Sequence, residues 1–116
     1  MIDGKIEEEL RKYAAAAASY GRAVNNGNVK QSDKCFDEVE KAFEELKLFG
    51  DQGLQAVANL LQSDDEGVRL WSAAHLLNYP RFGALPVLEK LKQSPSILSL
   101  TAEVTIDQWR DGKLTY

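Results

Sequence analysis

The stretch VRLWSAAHLLNY, residues 68–79, decides the fold. Asp64 or Asp65 stands ahead of it as an N-cap, and Pro80 follows it, disfavouring helical backbone in the residue before the ring. The run therefore reads as an alanine-rich helix ending near Tyr79. The preceding stretch GLQAVANLLQS, residues 53–63, places Leu54, Val57, Ala58 and Leu61 on one side of a helix that ends at Ser63. The two make a helical hairpin.

The hairpin is echoed downstream. A shift of 30 residues lays GLQAVANLLQS on GALPVLEKLKQS, pairing Leu54 with Ala84, Val57 with Val87 and Leu61 with Leu91. A shift of 29 lays the decisive stretch on ILSLTAEVTIDQWR, pairing Val68 with Ile97, Trp71 with Leu100, Ala73 with Ala102 and Leu77 with Ile106. Pro86 is tolerable only in a first turn, so the helix carrying it is expected to start close to Ala84, and Gly112 stops the last helix. Paired helices that bury their apolar faces only by stacking on neighbours follow the logic of HEAT-type repeats.

Upstream, Ile6, Leu10, Tyr13, Ala17, Tyr20 and Val24 fall at steps of four and three, the spacing of one helical face. A helix over 4–24 is expected, with Asp3 as its N-cap and Glu7, Glu8 and Glu9 in or near the first turn. The alanines Ala14 to Ala18 would let a neighbouring helix approach closely. Asn25 to Asn28 form a turn around Gly27. Cys35, Phe36, Val39, Ala42, Phe43, Leu46 and Phe49 then form the apolar stripe of a second helix, stopped by Gly50. The expectation is an all-α chain of about six helices in one domain, 1–116. Residues 1–50 form an N-terminal helical pair capping one end, and 51–116 form two HEAT-like hairpins stacked as a short right-handed α-solenoid.

The 116 residues are 44% hydrophobic and 28% charged, a globular balance, and the net charge is −4. That charge argues against direct nucleic-acid binding, which needs clustered Lys and Arg, and favours a basic partner. A lone cysteine, Cys35, cannot form an intrachain disulfide, and the acidic opening MIDGKIEEEL has no signal-peptide character. A cytoplasmic protein without membrane attachment is expected.

LLQSDD, VRLWSAAHLL, VLEKL and LTAEVTIDQWRDGKL, in that order, resemble a small bacterial family catalogued as a domain of unknown function, number two thousand and nineteen, HEAT-like in fold. KYAAAAASYGRAV and KCFDEVEKAFEEL are similar to its N-terminal half. The most specific pieces are Val68, Arg69, Trp71, Ala74, His75, Leu76 and Leu77, with Trp109, Arg110 and Gly112. The resemblance implies a fold and no chemistry. Small acidic HEAT-like proteins also resemble, in size and fold, some immunity proteins that neutralise a toxin.

Residue types offer little for catalysis or metal binding. His75 is the single histidine and Cys35 the single cysteine, and Cys35 sits on an apolar stripe where a thiol acts as a small hydrophobe. His75 reads as a packed residue with a satisfied ring nitrogen rather than a ligand or base, and a zinc site would need unusual ligands. Asp64, Asp65 and Glu66 belong to a helix start rather than to a calcium loop. No metal, cofactor or catalytic residue is expected.

Arg69 is expected to pair with Asp64 or Asp65, while Trp71 and Leu77 are assigned to the core. Trp109 fits a core or an interface equally, beside Arg110. On the second helix Asp33, Asp37, Glu40 and Glu44 follow a 4-3-4 spacing and share one face, partly matched by Lys41 and Lys47. This face is either simply solvated or a landing strip for a basic protein. The functional expectation is a non-catalytic binding protein, monomeric or homodimeric, that neutralises a basic toxin domain by occlusion. A structural adaptor is the alternative. Candidate partner contacts are Asp33, Asp37, Glu40, Glu44, Trp109 and Arg110, and structural roles fall to Arg69, Trp71, His75 and Leu77.

Overall fold

The computed structural model describes residues 4–116. Among them the chain is all-α, with no strand: α1 (Gly4–Asn25), α2 (Val29–Lys47), α3 (Asp51–Ala58), α4 (Glu66–Leu76), a 3-10 turn (Pro80–Phe82), α5 (Leu85–Leu91) and α6 (Leu98–Arg110). Asp3, expected to cap α1, lies outside the described residues.

Local chemistry sets most boundaries. Asn28 caps α2 by accepting from Gln31 N, and Asp65 caps α4 through Oδ1, which accepts from Val68 N at 3.0 Å. Pro86 falls in the first turn of α5, where its missing N–H costs nothing. Three helices end earlier than their apolar patterns suggest, the first being α2, which stops at Lys47 ahead of Phe49 and Gly50 as residues 48–50 tighten into i→i+3 bonds. α3 stops at Ala58 rather than Ser63 because residues 60–63 tighten into i→i+3 bonds, such as Leu60 N to Val57 O at 2.9 Å. α4 stops at Leu76 with Leu77 as C-cap, three residues ahead of Tyr79, and the chain turns through the 3-10 segment at Pro80.

α4 lies at the centre. Every residue from Gly67 to Leu77 except the half-buried Arg69 is buried, and the helix packs against α1, α3, α5 and α6. α1 runs along α2 and crosses α4 at close range. A Cβ built on Gly67 would stand 2.3 Å from the carbonyl oxygen of Ala17, so only glycine permits this approach, and the buried Ala16 and Ala17 supply the small surface opposite. One apolar cluster runs from Ile6 on α1 through Phe43, Leu70 and Leu88 to Ile106 on α6. The helices gather into a body of 37 × 28 × 24 Å. No helix among the described residues is long and apolar enough to cross a membrane.

Candidate functional site

A chain of polar contacts crosses the core where α1, α2 and α4 meet. The Tyr13 hydroxyl lies 2.6 Å from His75 Nδ1, His75 Nε2 lies 3.1 Å from Glu40 Oε1, and the Tyr116 hydroxyl donates to the same oxygen at 2.6 Å. Phe43 stacks on the imidazole with ring centroids 4.0 Å apart, and Tyr116 meets it edge-on at 4.5 Å. Burial pushes the Tyr13 phenol well above its usual pKa, so it stays protonated and donates to Nδ1. Nε2 then carries the ring proton and donates to Glu40, which selects one tautomer.

Burial also lowers the pKa of His75, against the opposing pull of Glu40. The ring is therefore neutral at pH 7, and its contact with Glu40 is a hydrogen bond rather than an ion pair. For Glu40 itself burial works upward, but hydrogen bonds from His75 and Tyr116 outweigh it and leave the carboxyl below the usual range. Both ring nitrogens of His75 are committed inside the core and the ring is fully buried. Cys35 is buried separately, with Gln31 Nε2 at 3.6 Å from its sulfur. The network ties three helices and the C-terminal segment together.

Glu40 thus leaves the row of four carboxylates expected on α2. Its partners lie 35 and 76 residues away in sequence, which its local spacing does not reveal. Asp33, Asp37 and Glu44 remain exposed, Glu44 with Lys47 at 3.7 Å. Arg69 differs from expectation too: its Nη1 donates to the carbonyl of Ser63 at 2.7 Å instead of pairing with Asp64 or Asp65. A main-chain oxygen at the end of the preceding turn is nearer than either carboxylate. Arg110 pairs with Glu89 at 3.3 Å, and Trp109 packs partly buried against the core, so neither joins the carboxylates of α2. Trp71 and Leu77 are buried. The described residues hold no group of three or more His, Cys, Asp or Glu able to bind a metal.

The feature that the sequence did not single out is a groove of about 510 Å³ between α2 and α6. Tyr20, Trp71 and Ala74 line it, with Phe36 on the α2 side and Leu100 and Val104 on the α6 side. Trp71 is clasped by Tyr20 at 5.1 Å and Phe36 at 5.4 Å, and its indole Nε1 is buried without an acceptor among the described residues. Leu114 and Tyr116 border the groove at one end, held by Asn78 Nδ2, which donates to the Leu114 carbonyl at 2.8 Å.

On both helices acidic residues neighbour this apolar strip in sequence. Asp33 lies three residues before Phe36 and Asp37 one after it, whereas on α6 Glu103 and Asp107 lie three residues after Leu100 and Val104. All four are exposed. Lys41 of α2 points into a different furrow, shared with α1. The groove is lined by apolar side chains together with Thr101, Thr105 and Gln108, and exposed carboxylates stand within one to three residues of Phe36, Leu100 and Val104. Compared with family models, curated proteins and solved structures, the chain matches none.

Proposed function

We propose that this chain is a non-catalytic binding protein that covers a basic protein partner with the face formed by α2 and α6. The closest functional type is an immunity protein that occludes a toxin domain in the cytoplasm. In this reading the α3–α4 and α5–α6 pairs are HEAT-like hairpins of a short right-handed solenoid, as in the family that the sequence resembles. The supporting observation is the α2–α6 groove: exposed Phe36, Leu100 and Val104, each with an exposed carboxylate of Asp33, Asp37, Glu103 or Asp107 within three residues on the same helix. An apolar centre excludes water and supplies affinity, while nearby carboxylates speed the encounter with a basic surface and disfavour acidic ones.

Affinity capture from the source cells with wild-type bait and with Asp33→Lys/Asp37→Lys bait tests this. A basic protein held by the wild type alone, and inhibited on mixing, is the expected result. A captured protein that binds both baits equally, or that is acidic, contradicts the proposal. A basic protein bound through this face without inhibition would replace occlusion by scaffolding.

A further inference from the structure

The internal echo shows what the groove lacks. On α4, Val68, Trp71 and His75 are 4%, 5% and 0% exposed, whereas the residues 29 positions later, Ile97 at the N-cap of α6 and Leu100 and Val104 within it, are 49%, 61% and 54% exposed. Both sets have the i, i+3, i+7 spacing of one helical face. What covers the first set is mostly helical: Tyr13 and Tyr20 from α1, and Phe36 and Phe43 from α2, pack on Trp71 and His75, joined by Tyr116 of the C-terminal segment. The corresponding face of α6 has no such cover among the described residues. Val29 and Phe36, seven residues apart on α2, are exposed in a second row. Of the exposed large hydrophobic residues among those described, only Leu48 lies outside these two rows.

We propose that the α2–α6 groove seats one amphipathic α-helix of the partner. Its apolar residues recur at i, i+3 or i+4 and i+7, and Lys or Arg flank them to meet Asp33, Asp37, Glu103 and Asp107. Two apolar rows two turns long, each with carboxylates close by in sequence, match that helix in period and in charge. This rests on the basic-partner reading above and specifies the partner's binding element.

A synthetic peptide of about 18 residues, ~27 Å long as a helix, with a Leu stripe and Lys flanks, is the probe. Two companions are a scrambled peptide of the same composition and one with Glu flanks. Calorimetry, circular dichroism and amide chemical-shift mapping should show that the Lys-flanked peptide binds, becomes helical and perturbs α6. Binding should weaken about tenfold or more in Leu100→Ser/Val104→Ser but not in Leu48→Ser, the exposed control outside the groove.

No binding by any peptide overturns the inference. Equal binding of the scrambled peptide overturns the helix and leaves the basic-partner reading intact. Equal binding of the Glu-flanked peptide overturns the basic partner while the apolar seat survives. A wild-type dimer dispersed by Leu100→Ser/Val104→Ser would assign the face to a second copy of the chain and also overturn it.

Discussion

Tyr13 on α1 and His75 on α4, 62 residues apart in sequence, meet at 2.6 Å between hydroxyl and Nδ1, and both are fully buried. Because the phenol holds its proton, it fixes the imidazole in the tautomer that donates to Glu40. Tyr13→Phe should therefore lower stability by about 1–3 kcal/mol, the usual cost of leaving a buried acceptor unsatisfied. Chemical denaturation checks the loss, and nitrogen-15 spectra of His75 should show a tautomer mixture in the variant where the wild type shows one form.

The same network predicts how stability follows pH. His75 and Glu40 both have folded pKa values below their usual ones, so their contributions are complete above those values and are lost as pH falls. Melting temperature should begin to decline as pH drops below about 6.5, where the unfolded imidazole takes a proton that the buried ring resists. Tyr13 and Tyr116 are shifted upward, so their contributions hold below about pH 10 and fade above it. A melting temperature flat from pH 4 to 7 would contradict the buried neutral imidazole.

The α1–α4 crossing depends on the absent side chain at Gly67. Gly67→Ala places a methyl group against the Ala17 carbonyl and should cost about 1–3 kcal/mol, even though alanine favours helix. Thermal unfolding reads this directly, and a stabilised variant would mean that the two helices sit further apart.

Leu77, buried at the end of α4, offers a harsher test. Leu77→Asp buries a carboxylate without a partner, which should cost several kcal/mol, roughly the scale of exceptional core substitutions, and unfold the domain. An unchanged melting curve would place Leu77 on the surface.

What was legible in the sequence were features written within a turn or two of helix. The Asp64–Asp65 pair, of which Asp65 is the cap, Pro86 and Gly112 mark boundaries through local backbone chemistry, and the apolar period of α2 buries Val39, Phe43 and Leu46 but leaves Phe36 exposed. Contacts between distant segments were not legible. The 4-3-4 spacing groups Glu40 with Asp33, Asp37 and Glu44, but His75 and Tyr116 draw it inward. Pairing Trp71 with Leu100 likewise hides their difference: α1 and α2 cover one and leave the other bare. The groove is made of that difference, so it emerges only once the helices are placed.

The most direct measurement of the central claim is the association rate of the Lys-flanked peptide at about 20 mM and about 500 mM salt, for the wild type and for Asp33→Lys/Asp37→Lys. Steering charges act mainly on the on-rate, and exposed charges contribute only about 0–1 kcal/mol to stability. The wild type should associate fast at low salt and slow steeply as salt rises. The variant should be slow and nearly salt-independent, with a melting temperature close to wild type. Equal association rates at low salt would contradict the account, leaving Asp33 and Asp37 as a solvated face.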